Sequence, residues 1–464
     1  MWNPDLSRYA GPRYLAIVEA IAGDIELGRL KPGDQMPTHR ELASHLGVTT
    51  GTVTRAYAEA ARRGLLIGET GRGTFVKGNL FADAFPPAPA SSEDDALIDL
   101  SLNIPPLSAN DLLGQALTKT LSSLSTRYGL SGLLGYQPAA GAERHRAAGA
   151  MWVTRSGLAA LPQQILVCSG ALHAMTVVFS TLTKPGETVL TESLTYPGMK
   201  NLAHLLNLRL HGLPVDAEGI LPSAFSEACE RGVARVLYTI PTIQNPLGIV
   251  MPEERRREIA AIAAAHDVAI VEDDVHSFML PDPPPPLSSF APRHSFYILS
   301  TSKSIAGGMR VGYLHAPERM VEPLATSLRA TVWMAAPLMA EIASEWIKDG
   351  TAERLVEQKR AESSARQEIA RRLLAGFEFD AHPLSFHLWL HLPEPWRSNE
   401  FTAQLRQRGV LVTPPEAFVP GREEAPHAVR VCLGATRSRA QLESGLNIIR
   451  EVLKDTPNPC LSIL

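Results

Sequence analysis

The sequence has few of the features that mark several classes of protein. Its 464 residues include only four cysteines, which are widely spaced and form no CxxC pair. This argues against a disulfide framework or a zinc site and favours a reducing compartment. No stretch approaches the roughly 18 apolar residues of a membrane span, and the N-terminus lacks the charged flank and apolar core of a secretory signal. We therefore expect a cytoplasmic protein without a metal site.

The sequence also has little net charge. The formal value is −4, so the chain is no polycation, and any contact with nucleic acid has to be local. Its 45% hydrophobic and 20% charged residues are typical of globular proteins. The length is too great for one small core and predicts two or three domains.

A change of composition divides the chain. Residues 78–95 read GNLFADAFPPAPASSEDD, which is rich in proline, alanine, serine and acid and has no sustained apolar period. Such a stretch is typical of a linker. We therefore predict a head at residues 1–77, a flexible linker at 78–97 and a large domain at 98–464.

The head shows a helical pattern followed by two short strands. Residues 14–27 place their apolar side chains on one face. Thr38 and Glu41 have the spacing of a capping box at the start of a second helix, and Thr49 or Thr50 can cap a third. LLIGETGRGTFVK then predicts strand, glycine-rich turn and strand. Three helices and a β-wing indicate an α+β winged helix-turn-helix.

In that geometry the third helix lies in the major groove of DNA, and its first residues reach base edges. The alternative is a small helical domain whose threonines only cap helices. Residues 1–77 hold ten Lys and Arg against eight Asp and Glu, which is a weak electrostatic signal. The candidate DNA contacts are Arg40, Thr49, Thr50, Gly51, Thr52, Thr54, Arg55 and, at the wing tip, Arg72.

Family resemblance favours DNA binding. The stretch LKPGDQMPTHRELASHLGVTTGTVTRAYAEAARRGLLIGETGRGTFV resembles the GntR-type winged-helix domain along nearly its full length. The match includes the P-x-x-R-E-L-A turn, the G-V-T-x-x-T-V start of the third helix and the G-x-G-T wing. The resemblance implies operator DNA as a partner, with Arg40, Thr50, Gly51, Thr52 and Thr54 at the family's contact positions.

The large domain alternates strands with helices. Short runs rich in Val, Ile and Leu (QILVC, TVLTE, ARVLYTI, VAIVEDD and SFYILS) are mostly separated by helical patterns. This alternation predicts an α/β fold with a mostly parallel sheet covered by helices.

Directly after the last of these runs comes STSKSIAGGMRVGY, with Lys303 among small residues and Arg310 seven positions on. A lysine that loses its proton on burial forms a Schiff base with an aldehyde, and pyridoxal 5'-phosphate (PLP) is the usual aldehyde in an α/β fold. PLP further requires a phosphate cup, an acid for its ring nitrogen, a donor to its ring hydroxyl and a flat face to stack on.

Each requirement has a candidate in chain order. Backbone N–H groups at the start of a helix suit the phosphate, and an arginine fork suits it as well. Taken singly, each candidate is also an ordinary turn, loop or cap, and only their order and spacing favour a site. The candidates are Gly170, Ala171 and Leu172 for the phosphate, Tyr196 for stacking, Asn245 for the ring hydroxyl, Asp273 for the ring nitrogen, Lys303 as the catalytic lysine, Ser300, Ser302 and Arg310 for the phosphate, and Arg430 for a substrate or effector carboxylate.

From about Ile98 to Leu453 this order resembles the class I and II aminotransferases, which are fold-type I PLP enzymes. A GntR head fused to such a domain resembles the MocR group of bacterial transcription regulators. The resemblance implies a homodimer that binds PLP. One departure concerns the tyrosine that family members usually carry shortly after the aspartate, because Val275 and His276 stand there. We therefore count His276 among the candidate cofactor contacts.

Three functions remain open at this point. The first is a transcription regulator that senses PLP or a PLP adduct of an amino acid or amine. The second is an active aminotransferase with an accessory DNA-binding head, which the missing tyrosine disfavours. The third is a DNA-binding protein whose large domain only dimerises, which the complete set of cofactor candidates disfavours.

Overall fold

The structure is a computed structural model. It describes residues 11–455 except 32, 64, 70–72, 77–96, 107–110, 129 and 422–423, together with residues 2, 4–6 and 9. Arg72 and all of the predicted linker except Leu97 lie outside the described residues.

The head has the predicted winged-helix elements. Thr38 and Glu41 form the predicted capping box, and Thr49 caps the third helix by accepting the backbone N–H of Thr52. A buried apolar cluster joins the helices to the wing. The elements are α1 Arg13–Glu26, α2 His39–Leu46, α3 Thr50–Arg62, β1 Leu66–Glu69 and β2 Gly73–Val76, and β1 pairs antiparallel with β2.

The first part of the large domain alternates strands and helices around one central sheet. Its elements are β3 Ile98–Asp99, α4 Leu112–Tyr128, α5 Glu143–Arg155, β4 Ile165–Cys168, α6 Ala171–Leu182, β5 Thr188–Glu192, α7 Pro197–Leu205, β6 Arg209–Leu213, β7 Val215–Asp216, β8 Gly219–Ile220, α8 Pro222–Glu230, β9 Val236–Thr239, α9 Glu253–Ala265, β10 Ala269–Asp273, β11 Ser295–Ser300, α10 Thr301–Ser304, β12 Gly312–His315 and α11 Glu318–Val332.

The sheet has seven strands in the order β4-β12-β11-β10-β9-β5-β6. All run in one direction except β12, which is antiparallel to both neighbours. The prediction of a mostly parallel sheet is confirmed. Because the carboxyl ends of the six co-directional strands meet at one edge, the loops that follow them converge there, as in other open α/β sheets that bind ligands.

The C-terminal part forms a second, smaller sheet that the sequence pattern did not reveal. Strands β13, β14 and β16 pair antiparallel, and β15 pairs with β3. The last three described helices and the two sheet segments enclose an apolar cluster of their own, whereas the helix at residues 337–348 packs against residues of the large sheet. The elements are α12 Pro337–Lys348, α13 Thr351–Leu373, β13 Phe379–Asp380, β14 His387–His391, α14 Ser398–Gln407, β15 Val410–Leu411, β16 Ala428–Cys432 and α15 Arg439–Lys454.

Within the described residues, no helix combines the length and the hydropathy that crossing a bilayer requires.

Candidate cofactor and effector site

The register of the sheet brings the two halves of the predicted phosphate cup together. Gly312 at the start of β12 lies opposite Ser300 at the end of β11 and opposite Cys168 at the end of β4. The loop before α6 and the loop that carries Arg310 are therefore neighbours, although about 140 residues separate them in the chain.

Arg310 spans this gap. Its Nη1 donates to Ser302 Oγ (3.2 Å) and its Nη2 to the carbonyl oxygen of Ser169 (3.4 Å). Gly170 has φ +90° and leaves room for the guanidinium, since a Cβ at this position would lie 2.6 Å from Arg310 Nη2. A helix N-terminus beside an arginine, with a backbone too close to carry a side chain, has the donors that a phosphate group requires.

The loop that precedes α6 is braced by His173. Its Nδ1 accepts the backbone N–H of Ser169 (3.0 Å), and its Nε2 lies 2.8 Å from Thr331 Oγ1. Because Nδ1 accepts, Nε2 carries the proton and donates to the threonine. Burial lowers the pKa of His173 and favours this neutral form. Ala171 and Leu172 begin the helix, and the side chain of Leu172 is exposed.

Lys303 lies on the four-residue helix α10, directly after β11. Ser300 caps this helix by accepting the N–H of Ser302, so its hydroxyl is already engaged in positioning the lysine. The Lys303 amine contacts the carbonyl oxygen of Asn103. Burial lowers the pKa of Lys303 to about 8, which raises the share of the unprotonated, nucleophilic amine near neutral pH.

Asp273 ends β10 and is buried. Its Oδ2 accepts a hydrogen bond from the hydroxyl of Tyr238 (2.8 Å), while its Oδ1 has no partner among the described residues. Burial raises the pKa of Asp273 to about 6, and the Tyr238 hydrogen bond opposes that rise. A buried carboxylate oxygen without a partner suits a protonated ring nitrogen, and this observation carries the fit of the site to PLP.

Tyr196 directly precedes α7 and is half-buried. Burial raises its pKa to about 12, with the charge of Asp273 adding to the rise and those of Arg430 and Arg310 opposing it. Asp273, Arg310 and Arg430 are thus close enough to the phenol for their charges to act on its pKa. Stacking of the Tyr196 ring on the cofactor stays a prediction.

Arg430 joins the two sheets of the large domain. Its Nη1 donates to Oδ1 of Asn245 (2.9 Å), and its Nη2 donates to the carbonyl oxygen of Ser101 (2.7 Å) and to Thr413 Oγ1 (3.1 Å). The guanidinium lies 4.9 Å from the ring centre of Phe418, and its Nε has no hydrogen-bond partner among the described residues. The three groups to which Arg430 donates are all neutral, whereas a buried cation is usually accompanied by a carboxylate.

Val275 and His276 follow Asp273 where the family tyrosine is expected. His276 is buried, and both of its ring nitrogens are without partners among the described residues. Burial lowers the pKa of His276 well below its ordinary value, and the charges of Lys303 and Arg430 act in the same direction. His276 therefore stays a candidate contact of the site, as a neutral ring.

The structure adds site residues that the sequence reasoning missed. Tyr238 lies opposite Val271, which is two residues before Asp273 on the neighbouring strand, so the side chains of Tyr238 and Asp273 lie on one face of the sheet. Cys432 is two residues after Arg430 on β16, and His387 lies directly opposite Cys432 on β14. The two-residue repeat of a strand shows which side chains share a face. To find these three residues from the sequence, one would also have to know which strands pair.

The candidate DNA-contacting residues of the head lie on α2 and α3. Arg40 and Thr50 are exposed, and Gly51 is exposed beside Thr50. The other four described candidates make contacts within the head: Thr49 Oγ1 lies 2.8 Å from Thr52 Oγ1, Thr54 Oγ1 donates to the carbonyl oxygen of Thr50, and the Arg55 guanidinium lies 4.0 Å from the ring centre of Tyr14.

Comparison with known proteins identifies both parts of the chain. Residues 96–449 match the aminotransferase class I and II family. The chain belongs to this family. Residues 13–76 match the bacterial regulatory proteins of the gntR family, so the protein has the MocR-type arrangement of a GntR head and a class I/II aminotransferase domain.

Relatives with both parts are named as transcription regulators. The HTH-type transcriptional regulator YdeF of Bacillus subtilis is 29% identical over 98% of this chain and 97% of its own. The HTH-type pyridoxine biosynthesis transcriptional regulator PdxR of Corynebacterium glutamicum is 29% identical over 67% of each chain. Among solved structures, an archaeal alanine:glyoxylate aminotransferase is 24% identical, with a TM-score of 0.70 over 77% of this chain and 91% of its own, which shows the shared fold.

Proposed function

We propose that this MocR-type protein is a transcription regulator whose head binds operator DNA and whose large domain binds PLP at Lys303. In this proposal PLP, or its adduct with an amino acid or amine, is the signal. The observation that supports PLP most strongly is the buried Oδ1 of Asp273, which has no partner among the described residues. The charges of Asp273 and Lys303 also act on each other, and burial lowers the pKa of that lysine to about 8.

Each part of the cofactor has a proposed partner. Arg310, Ser302 and the N–H groups at Gly170, Ala171 and Leu172 would hold the phosphate. Asp273 would pair with the ring nitrogen, Tyr196 would stack on the ring, and Asn245 or His276 would donate to its hydroxyl. When bound, PLP supplies an electrophilic carbon and an electron sink.

The effector in this proposal carries a carboxylate. Arg430 is buried and donates to a side-chain amide, a backbone carbonyl and a hydroxyl. An anionic group would supply a counter-charge at its Nε, which has no partner among the described residues, because buried guanidinium groups are normally paired.

We also propose that the protein is a homodimer, and an exposed aromatic surface supports this. Tyr136 and Trp333 are 82% and 56% exposed, and their ring centres are 5.9 Å apart, with Leu134 (76% exposed) two residues from Tyr136. Large exposed apolar groups of this kind mark interaction surfaces. Two copies would present two heads to paired half-sites on DNA.

The experiment begins with the full chain, PLP and a randomised DNA pool, from which bound sequences are selected. DNA affinity is then measured by fluorescence anisotropy with and without PLP, for the wild type and for Lys303→Ala. We expect PLP to change the affinity or half-site preference of the wild type only. If PLP changes neither, the sensing part of the proposal is wrong.

The second candidate is an active aminotransferase, which the retained Lys303, Asp273, Asn245 and Arg430 favour. Absorption spectra of the PLP-loaded protein with a panel of amino acids distinguish the two functions. Conversion of the bound cofactor to the pyridoxamine form, with steady release of keto acid, would support the enzyme. A band that shifts without converting would support the sensor.

A further inference from the structure

Two buried histidines lie side by side at the inner wall of the site. His276 is 4% exposed and His387 0% exposed, and their ring centres are 6.4 Å apart. Phe386 packs against His276 with an edge contact at 6.1 Å. Neither histidine is required for the phosphate, the ring nitrogen or the stacking face proposed above.

The strand register places His387 on the same face as the carboxylate clamp. His387 lies opposite Cys432, Trp389 lies opposite Arg430, and Arg430 and Cys432 are two residues apart on β16. Directly opposed residues in an antiparallel pair share a face, and so do alternate residues of one strand. His387 and Arg430 therefore point to the same side of the small sheet.

His387 is held firmly in this position. Its Nδ1 lies 3.1 Å from Ser385 Oγ, and that hydroxyl also accepts the His387 backbone N–H (3.0 Å). Gln367 on α13 donates to the carbonyl oxygens of Ser385 (2.9 Å) and His387 (3.1 Å). The helix thus fixes the backbone at His387, and the Ser385 hydroxyl fixes its ring, as is typical of a preorganised binding group.

Neither ring nitrogen of the buried His276 has a hydrogen-bond partner among the described residues. A buried imidazole without partners is costly, and each such group calls for an explanation. A ligand that reaches the ring would supply the partner. The charges that act on His276 are those of Lys303 and Arg430, together with the His387 ring.

The surroundings of the pair are cationic, which favours an anion. Burial lowers the pKa of His387 to about 3, with Arg430 and Lys303 acting in the same direction and the backbone carbonyls of Gln244 and Pro246 opposing them. Without a ligand both rings are therefore neutral. A carboxylate bound at Arg430 would offset the charge of that guanidinium and so raise the pKa of a neighbouring ring.

We propose that His276 and His387 complete, with Arg430, a carboxylate site that takes up one proton with each carboxylate it binds. The proton comes from solvent and goes to a ring nitrogen of one of the two histidines, and the ligand carboxylate remains ionised. This inference deepens the function proposed above and rests on it. Its consequence is a regulator that binds acidic effectors more tightly as the pH falls.

The test uses the PLP-loaded full chain and straight-chain mono- and dicarboxylates of two to six carbons, which lack an amine and cannot form an imine. Their dissociation constants are measured at pH 6.5, 7.5 and 8.5. One proton per complex predicts up to tenfold tighter binding for each pH unit downward. The visible band is followed in the same samples, so that protonation of the bound cofactor is counted separately.

Three variants locate the proton. In the double variant His276→Gln/His387→Gln the residual change should fall below about twofold per pH unit, and the single variants show which ring accepts the proton. His315→Gln is the matched control. Like His276, His315 is buried, and neither of its ring nitrogens has a partner among the described residues. Burial alone lowers the pKa of His315 to about 4. This control variant should behave as the wild type.

The outcomes separate the two proposals. A wild type without a visible band in the presence of PLP would contradict the proposed function itself. A normal band with pH-independent carboxylate binding, or with a pH dependence that the double variant retains, would overturn the histidine site alone. A normal band with no carboxylate binding at all would also overturn it, since Arg430 would then hold no carboxylate. Melting temperature verifies that each variant is folded.

Discussion

Gly170→Ala tests the phosphate cup most sharply. The added Cβ would lie 2.6 Å from Nη2 and 3.0 Å from Cζ of Arg310, so the guanidinium has to move away from Ser169. Losing a charge-assisted hydrogen bond to phosphate costs about 1.5–3 kcal/mol, and each 1.4 kcal/mol corresponds to a factor of about ten. We expect the affinity for PLP to fall about 10- to 100-fold.

The same substitution also strains the backbone. Gly170 has φ +90° and ψ 173°, a region open essentially to glycine alone, and a side chain there costs about 1–3 kcal/mol of stability. Gly186 is the matched control, since its φ is +89° but nothing lies within 4 Å of a Cβ built on it. Gly186→Ala should lose stability and retain PLP affinity.

The assay is absorbance titration of the apoprotein with PLP, alongside thermal unfolding without PLP. If Gly170→Ala bound PLP as tightly as Gly186→Ala does, with a comparable loss of melting temperature, Arg310 and the α6 N-terminus would not hold the phosphate. A loss of affinity in both variants would indicate a general effect of backbone strain.

Three further predictions concern other parts of the protein. Tyr238→Phe removes the hydrogen bond that opposes the rise in the pKa of Asp273, so the carboxylate should become protonated at a higher pH. As the pH is lowered from 8 to 5, the PLP affinity of this variant should therefore begin to fall at a higher pH than that of the wild type. An unchanged pH profile would show that Tyr238 does not lower the pKa of Asp273. Arg40→Ala should weaken binding to all DNA sequences alike and reduce the slope of log K against log salt by about 0.9, with an unaltered cofactor spectrum; an unchanged slope would remove Arg40 from the phosphate contacts. Asn245→Ala should loosen Arg430 and weaken carboxylate binding more than PLP binding, and equal losses in both would contradict the link between the two residues.

The sequence predicted the parts of the structure whose signals are local. The capping box at Thr38 and Glu41, the cap at Thr49 and the strand that precedes Lys303 depend on neighbouring residues, and the structure has each of them. The mostly parallel sheet followed from the alternation of apolar runs with helical patterns. These features are encoded within windows of about ten residues, where periodicity and capping are informative.

The small sheet and three residues beside the site, Tyr238, His387 and Cys432, could not be predicted from local sequence patterns. The small sheet depends on strand pairings between segments that are separated in the chain. These are the pairings of β14 with β13 and β16 and of β15 with β3. Tyr238, Cys432 and His387 each sit in a run that otherwise suggests only buried strand. Their approach to Asp273, Lys303 and Arg430 depends on strand order and register, which a single sequence leaves open.

The measurement that tests the central proposal most directly is the DNA affinity of the full chain with and without PLP, in the wild type and in Lys303→Ala. The account predicts that PLP changes the affinity or half-site preference of the wild type and leaves that of Lys303→Ala unaltered, while both bind DNA equally well without PLP. A wild type that carries the visible band of bound PLP, yet binds DNA identically in both conditions, would contradict the account.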